Sequence, residues 1–265
     1  IQRAHDEEMA RDPLVICMGE DIGVAGGTYK ATKGLYEKYG PLRVMDTPIS
    51  EGGFTGLGIG ASFLGVRPVI ELMSVNFAWL AMDQMFNSAA KVRYMSGGQL
   101  TAPCVFRSAG GAAHQLGAQH SARMEKVFMG IAGLRVVTPS NPKQAYGLLK
   151  SAIRCDDPVF INEHELISAE VIDLYCLSPL DREGIKQSVS KTHRAVIAEE
   201  DEAPVGVGSE VIAIINEECF FELDAAPVRV HSVLVPQPYN HTLEKATLPD
   251  HEDVVKAVLK IFGKA

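Results

Sequence analysis

The chain has 265 residues, with 33 acidic against 25 basic side chains, a formal net charge of -8, and 46% hydrophobic residues. That is the make-up of one or two ordinary globular domains, long enough to bury a substantial core. It offers no basic patch for nucleic acid and no apolar run near the ~20 residues of a membrane span, so neither is expected as a partner.

The opening stretch, 1–12, reads as a polar helix already under way, with a few residues expected before it. Short β-branched runs and helical patterns then alternate. Leu14 to Met18 is a strand ending in G-E-D, Ala31 to Tyr39 a helix, and Leu42 to Met45 a short strand. Ser50 to Leu64 reads as a helix, Pro68 to Leu72 as a strand, and Phe77 to Met95 as the longest helix, stopped by S-G-G. Cys104 to Arg107 is a strand before a Gly/Ala-rich loop over 108–119. The helix Ser121 to Gly130, the strand Leu134 to Thr138, the helix Pro142 to Arg154 and the strand Val159 to Asn162 follow. A second series runs strand Glu170–Leu174, helix Asp181–Ser190, strand Ala195–Ala198, helix Gly206–Phe220, strand Val228–His231 and helix Asp250–Phe262.

This alternation predicts an α/β fold of two domains, 1–165 and 168–265, each a mainly parallel sheet flanked by helices. Ligands in such folds sit beyond the carboxyl ends of strands. The loops after Met18, Met45, Leu72 and Arg107 are therefore the places to look.

Within 47–61, Glu51 stands at a helix start, and Gly52, Gly56 and Gly60 recur every fourth residue on one helical face. Glycine costs about 1 kcal/mol relative to alanine inside a helix. The stripe therefore predicts a second backbone packed close to that face. Glu51 is either an acid favoured by the helix dipole or an acid facing a cofactor. Phe77 and Trp79 open the next helix as core residues or as an aromatic face for a planar ring. His120, on a small-residue loop, reads as a structural histidine, a general acid or a proton shuttle. Ser121 and Glu125 are placed to cap the helix after it.

G-V-G-S-E at 206–210 is not a dinucleotide fingerprint. It follows the acidic run E-E-D-E, which would repel a phosphate, so it reads as a strand-to-helix turn. No Walker loop and no G-x-S-x-G elbow occurs. The five cysteines, Cys17, Cys104, Cys155, Cys176 and Cys219, contain no C-x-x-C pair and read as free, mostly buried thiols of a reducing compartment. His114 and His120 make a poor metal set.

Taken together, several segments carry a family resemblance. They are M-G-E-D-I-G (18–23), G-G-T-Y-K-A-T-K-G-L (26–35), D-T-P-I-S-E-G-G-F-T-G (46–56), S-V-N-F-A-W-L-A-M-D-Q (74–84), A-A-K-V-R-Y-M-S-G-G (89–98) and G-A-Q-H-S (117–121). In combination they resemble the beta subunits of the thiamine-diphosphate-dependent decarboxylases of 2-oxo acid dehydrogenase complexes, the pyruvate-specific kind foremost. V-I-D-L, S-P-L-D, D-A-A-P-V-R-V and V-P-Q-P-Y-N fit that family's second domain.

The resemblance implies a transketolase-like pyrimidine-binding domain followed by a transketolase C-terminal domain. It also implies an alpha2beta2 heterotetramer with thiamine diphosphate between alpha and beta subunits. The alpha subunit would hold magnesium and the diphosphate through a G-D-G motif that this sequence lacks. On the family pattern Glu51 hydrogen-bonds the pyrimidine and favours its imino tautomer, Phe77 packs on that ring, and Ile49 offers a backbone contact. His120 sits near the reacting centre, in proton transfer and acceptance by the lipoyl group. A structural potassium ion would take backbone carbonyls of Cys104, Ala152, Ile153, Cys155 and Asp157.

The implied activity is oxidative decarboxylation of pyruvate with reductive acetylation of a lipoyl domain on the dihydrolipoyl acyltransferase core. Branched-chain or acetoin dehydrogenase beta subunits are the alternatives, as is a truncated partner without catalysis. The compartment implied is bacterial cytoplasm, or a mitochondrial matrix or plastid stroma after loss of a transit peptide. One departure stands out: Leu166 and Ile167 run straight into Ser168, where the family has a linker and a further strand and helix.

Overall fold

The structure, a computed structural model, describes residues 1–112, 116–164 and 174–263. These form two compact units. One comprises Ile1–Gly110 with Val127–Pro179, and the other Gly111–Lys126 with Leu180–Ala265. The expected join at Glu165–Ser168, the strand Glu170–Leu174 but for its last residue, and His114 lie outside the described residues.

The first unit is a seven-stranded sheet. Its strands are β1 (Val15–Gly19), β2 (Val44–Asp46), β3 (Arg67–Leu72), β4 (Val105–Gly110), β5 (Arg135–Val137), β6 (Val159–His164) and β7 (Cys176–Ser178), in the order β2-β1-β3-β4-β6-β5-β7. Every pairing is parallel except β5 with β7. The central strands are buried nearly throughout, as parallel strands covered on both faces must be. Around it lie α1 (Gln2–Arg11), α2 (Leu35–Tyr39), α3 (Glu51–Ser62), α4 (Ala90–Met95) and α6 (Pro142–Arg154), with the last three residues of α5 (Glu125–Met129), whose first two belong to the other unit. Phe128 and Phe160 stack in this core with centroids 4.1 Å apart. α6 begins as its sequence dictates: Asn141 accepts the Gln144 N–H and Pro142 follows at the first turn.

The sheet also buries charge. Arg107 on β4 donates through Nη1 to Glu71 Oε2 at 2.5 Å, through Nε to Glu163 Oε1 at 2.9 Å and through Nη2 to Glu163 Oε2 at 2.6 Å. His5 on α1 is fully buried, its Nδ1 3.3 Å from the Ala31 carbonyl, and burial, then the Arg107 charge, push its imidazole down to about 3.

Several expected elements differ. The helix expected over Ala31–Tyr39 is only α2, because Lys30 (φ 59°) and Gly34 (φ 80°) are left-handed and no helix passes through them. The long helix expected over Phe77–Met95 is three pieces: a 3₁₀ helix at Val75–Ala81, a π-helix at Gln84–Ala89, and α4. Periodicity near 3.6 does not register such changes of winding. α5 is shorter than expected, so Ser121 lies too far ahead of it to be its cap. β7 adds an antiparallel edge, its three residues too short a run to show a period.

In the second unit, β8 (Val196–Glu202) and β9 (Val228–Ser232) pair in parallel. They carry α7 (Arg182–Thr192), α8 (Val207–Cys219), α9 (His241–Thr247) and α10 (His251–Ile261). α10 opens with a capping box between Asp250 and Asp253, and α9 was not anticipated. Glu199 settles the turn before α8. Its carboxylate accepts the Gly208 N–H at 2.9 Å and pairs with Arg229, filling the anion position at the helix start with a side chain.

Candidate functional site

Glu20 follows directly on β1 and β2 leads through Thr47–Ser50 into α3, so two acidic residues meet at the carboxyl edge of the sheet. Glu51 is the first residue of α3, where the helix dipole favours negative charge. Its residue is 5% exposed, and it makes no ion pair among the described residues. Glu20 is 9% exposed, and its Oε1 is buried without a hydrogen-bond partner. Burial, then the charges of Glu51 and Asp21, push the Glu20 carboxyl up. A buried orphan oxygen beside a second buried acid is a place to hold a proton or to bind a ligand's donor. Glu20 was not singled out from sequence, though the loop after Met18 was a place to look.

α3 packs on the 3₁₀ helix at Val75–Ala81. Phe77 lies there half-buried, and Ile49 stands 85% exposed just before α3. The glycine stripe divides into three environments. A Cβ at Gly52 would lie 3.0 Å from the Leu80 carbonyl oxygen, the close backbone approach expected. At Gly56 the neighbour is the Gln84 side chain, and at Gly60 nothing lies within 4 Å. Off the stripe, a Cβ at Gly58 would meet Ile70 Cδ1 at 2.6 Å and Met18 Sδ at 2.9 Å. Gly58 lets α3 settle on β1 and β3, which fixes where Glu51 comes to rest.

His120 belongs to the second compact unit, half-buried, with its N–H donating to the Gly117 carbonyl at 3.1 Å. Glu51, Phe77 and Ile49 thus share one unit and His120 the other.

Four of the five carbonyls expected to hold potassium accept hydrogen bonds. Arg67 Nη1 donates to the Ile153 and Cys155 carbonyls at 3.0 Å each, and Nη2 to Asp156. The Ala152 carbonyl accepts the Cys155 N–H at 3.0 Å, and the Cys104 carbonyl accepts the Val159 N–H at 2.9 Å. Asp157 turns its carboxylate to Arg93 and Arg135, both at 2.8 Å. A guanidinium thus stands against two of these carbonyls and supplies positive charge there, which disfavours a potassium ion at Ile153 and Cys155.

All five cysteines are free; Cys155 and Cys176 are half-buried and the others buried. Burial pushes Cys17 and Cys104 up to about 12, so neither is a ready thiolate. Among the described residues no cluster suits a metal ion, and no helix is long and apolar enough to cross a membrane.

Residues 1–168 match the family model described as "Transketolase, pyrimidine binding domain", and residues 162–254 the one described as "Transketolase, C-terminal domain". "Pyruvate dehydrogenase E1 component subunit beta" of Porphyra purpurea is 42% identical over 317 aligned positions, covering 100% of this chain and 96% of the relative. The mitochondrial subunit beta-1 of Arabidopsis thaliana is 42% identical, covering 97% of this chain and 86% of that protein. The chloroplastic beta-2 subunit from the same plant is 40% identical, covering 97% and 76%. A solved structure titled "Split gene transketolase, inactive beta4 tetramer" superposes with a TM-score of 0.77 over 99% of this chain and 96% of that one. At 20% identity it speaks for the fold alone. The alignment with the Porphyra protein spans 317 positions against 265 residues here, which leaves at least 52 positions with no residue from this chain.

Proposed function

The chain belongs to the family of pyruvate dehydrogenase E1 beta subunits, and from that membership we propose that the edge at Glu51 is the pyrimidine half of a shared thiamine diphosphate site. The observation that carries the proposal is Glu51 itself: a buried acid at the start of α3, beside the orphaned Glu20 carboxyl. The residues present suit an aminopyrimidine, which offers ring nitrogens and an amino group to acids and a flat face to an aromatic.

Glu51 would hold a proton at its carboxyl oxygen for a pyrimidine ring nitrogen, and Phe77 would cover the ring. The backbone of Ile49 supplies a further polar contact. His120, on its own loop, would move a proton at an imidazole nitrogen as the acetyl unit passes to lipoyl. Bound thiamine diphosphate supplies the nucleophilic carbon and takes up the electrons released on decarboxylation. Magnesium and the diphosphate would be held by an alpha subunit carrying G-D-G, so the reaction requires an alpha2beta2 assembly. That assembly would act on lipoyl domains of a dihydrolipoyl acyltransferase core. The domain division 1–165 and 168–265 is part of this reading. So is the compartment, bacterial cytoplasm or an organelle matrix or stroma; relatives are named as mitochondrial and chloroplastic.

A second reading has its own support. The 52 unmatched positions equal or exceed a strand–helix unit of the second domain, and a subunit short of that unit could bind alpha chains without supporting turnover. Co-expression with an alpha subunit decides between them. The catalytic reading expects a heterotetramer that binds thiamine diphosphate and turns over pyruvate. A heterotetramer that binds the cofactor and is inert establishes the second.

A further inference from the structure

The acidic run at 199–202 has no part in the chemistry above, yet three of its four carboxylates turn to one segment. Glu199 serves α8 and Arg229. Glu200 accepts the backbone N–H of Ala112 at 2.7 Å and lies 3.8 Å from Arg123. Asp201, 5% exposed, takes Lys126 Nζ at 2.7 Å, and Glu202 takes the same ammonium at 3.5 Å. Arg123 also reaches Glu125 at 3.3 Å, and the Gly111 N–H donates to the Ala122 carbonyl at 3.1 Å. Both ends of the stretch that carries His120 are therefore tied to β8 by side-chain carboxylates within one compact unit.

The arrangement costs something to hold. Asp201 Oδ2 is buried without a partner. A core built only for stability would place an apolar pair here, since buried ion pairs are a weak source of stability. What charge pairs supply instead is register: a cation on one segment facing an acid on another fixes which residues meet.

We propose that Glu200, Asp201, Arg123 and Lys126 are positioning residues that hold the His120 segment on β8 and so set where that imidazole stands during acyl transfer. This rests on the reading that His120 takes part in the reaction, but the tether itself can be tested without activity.

The test uses the full chain with Lys126→Met, Asp201→Asn and the double reversal Lys126→Glu/Asp201→Lys. Amide hydrogen exchange is followed in 116–122, with β9 as the internal reference. Each single variant is expected to raise exchange in 116–122 by about tenfold, the worth of one charge-assisted hydrogen bond, with β9 unchanged. The reversal is expected to return it to the parent rate. Unchanged exchange in 116–122, acceleration shared equally by β9, or a reversal no slower than the singles would each overturn the proposal. In complex with an alpha subunit, the single variants should lower kcat for lipoyl acetylation and leave the KM for pyruvate as it was. If His120→Ala keeps full turnover, the role of His120 fails, while the exchange result still decides the tether.

Discussion

Glu20 shows what a site residue costs its fold. Its raised carboxyl binds a proton more readily in the folded chain than in the unfolded one. The unfolded state therefore binds fewer protons in the window above the ordinary carboxyl value of 4.5, and stability falls as pH rises through that window. Glu20→Gln is accordingly expected to raise Tm at pH 7, with the gain shrinking as pH approaches 4.5; a lower Tm at pH 7 would contradict the assignment. Arg67 makes a second residue-level case. Exchanging potassium for sodium should leave the Tm of the parent chain unchanged, whereas Arg67→Ala should lower it and leave a deficit that potassium partly restores. A parent chain that melts lower in sodium would show that the carbonyls of Ile153 and Cys155 do serve the ion. Glu51 stood out in the sequence because a lone acid ahead of a glycine stripe is conspicuous, but the residues alone left it either an acid at a helix dipole or one facing a cofactor. Glu20 and Arg67 could not be singled out, since their roles depend on a neighbouring strand and a distant loop that local pattern does not record.

At the level of elements, the sheet was legible and its winding details were not. Strands β1, β3, β4 and β6 announce themselves as β-branched runs between turn residues, and parallel packing follows from the helices between them. The break at Lys30 and the 3₁₀ and π turns of 75–89 come from backbone choices that tertiary packing makes. Burial of the Arg107 triad joins β3, β4 and β6 by charge as well as by ladder. Arg107→Met would strand two buried carboxylates, and a loss of about 3–5 kcal/mol is expected in denaturant melts. α1 contributes a pH dependence of its own. His5 binds a proton only near pH 3 in the fold but near 6.5 when unfolded, so the unfolded state gains protons between those values and stability falls as pH drops through them. His5→Asn should flatten that limb of the Tm profile; an unchanged limb would show that His5 is not its source.

For the whole molecule, the two units differ in how much structure surrounds their sheets. The first has seven strands, and the second two among its described residues. α10 leaves Val255, Val258, Leu259 and Phe262 between 38% and 54% exposed, and Phe221 is 98% exposed. Fewer covered strands mean cheaper local opening, so amides of β8 and β9 should exchange before those of β3 and β4. The two-domain α/β plan was legible across almost the whole chain, because alternation of strands and helices does not depend on any single element. Placing 111–126 with the second unit was not, because that depends on charge pairs far apart in sequence. On the proposed reading, Glu51 serves thiamine diphosphate in a site completed by an alpha subunit. The most direct test of that reading is pyruvate decarboxylation by the heterotetramer carrying Glu51→Gln. Decarboxylation is expected to fall by a factor of about 100 or more with assembly intact; turnover at the parent rate would remove Glu51 from that role.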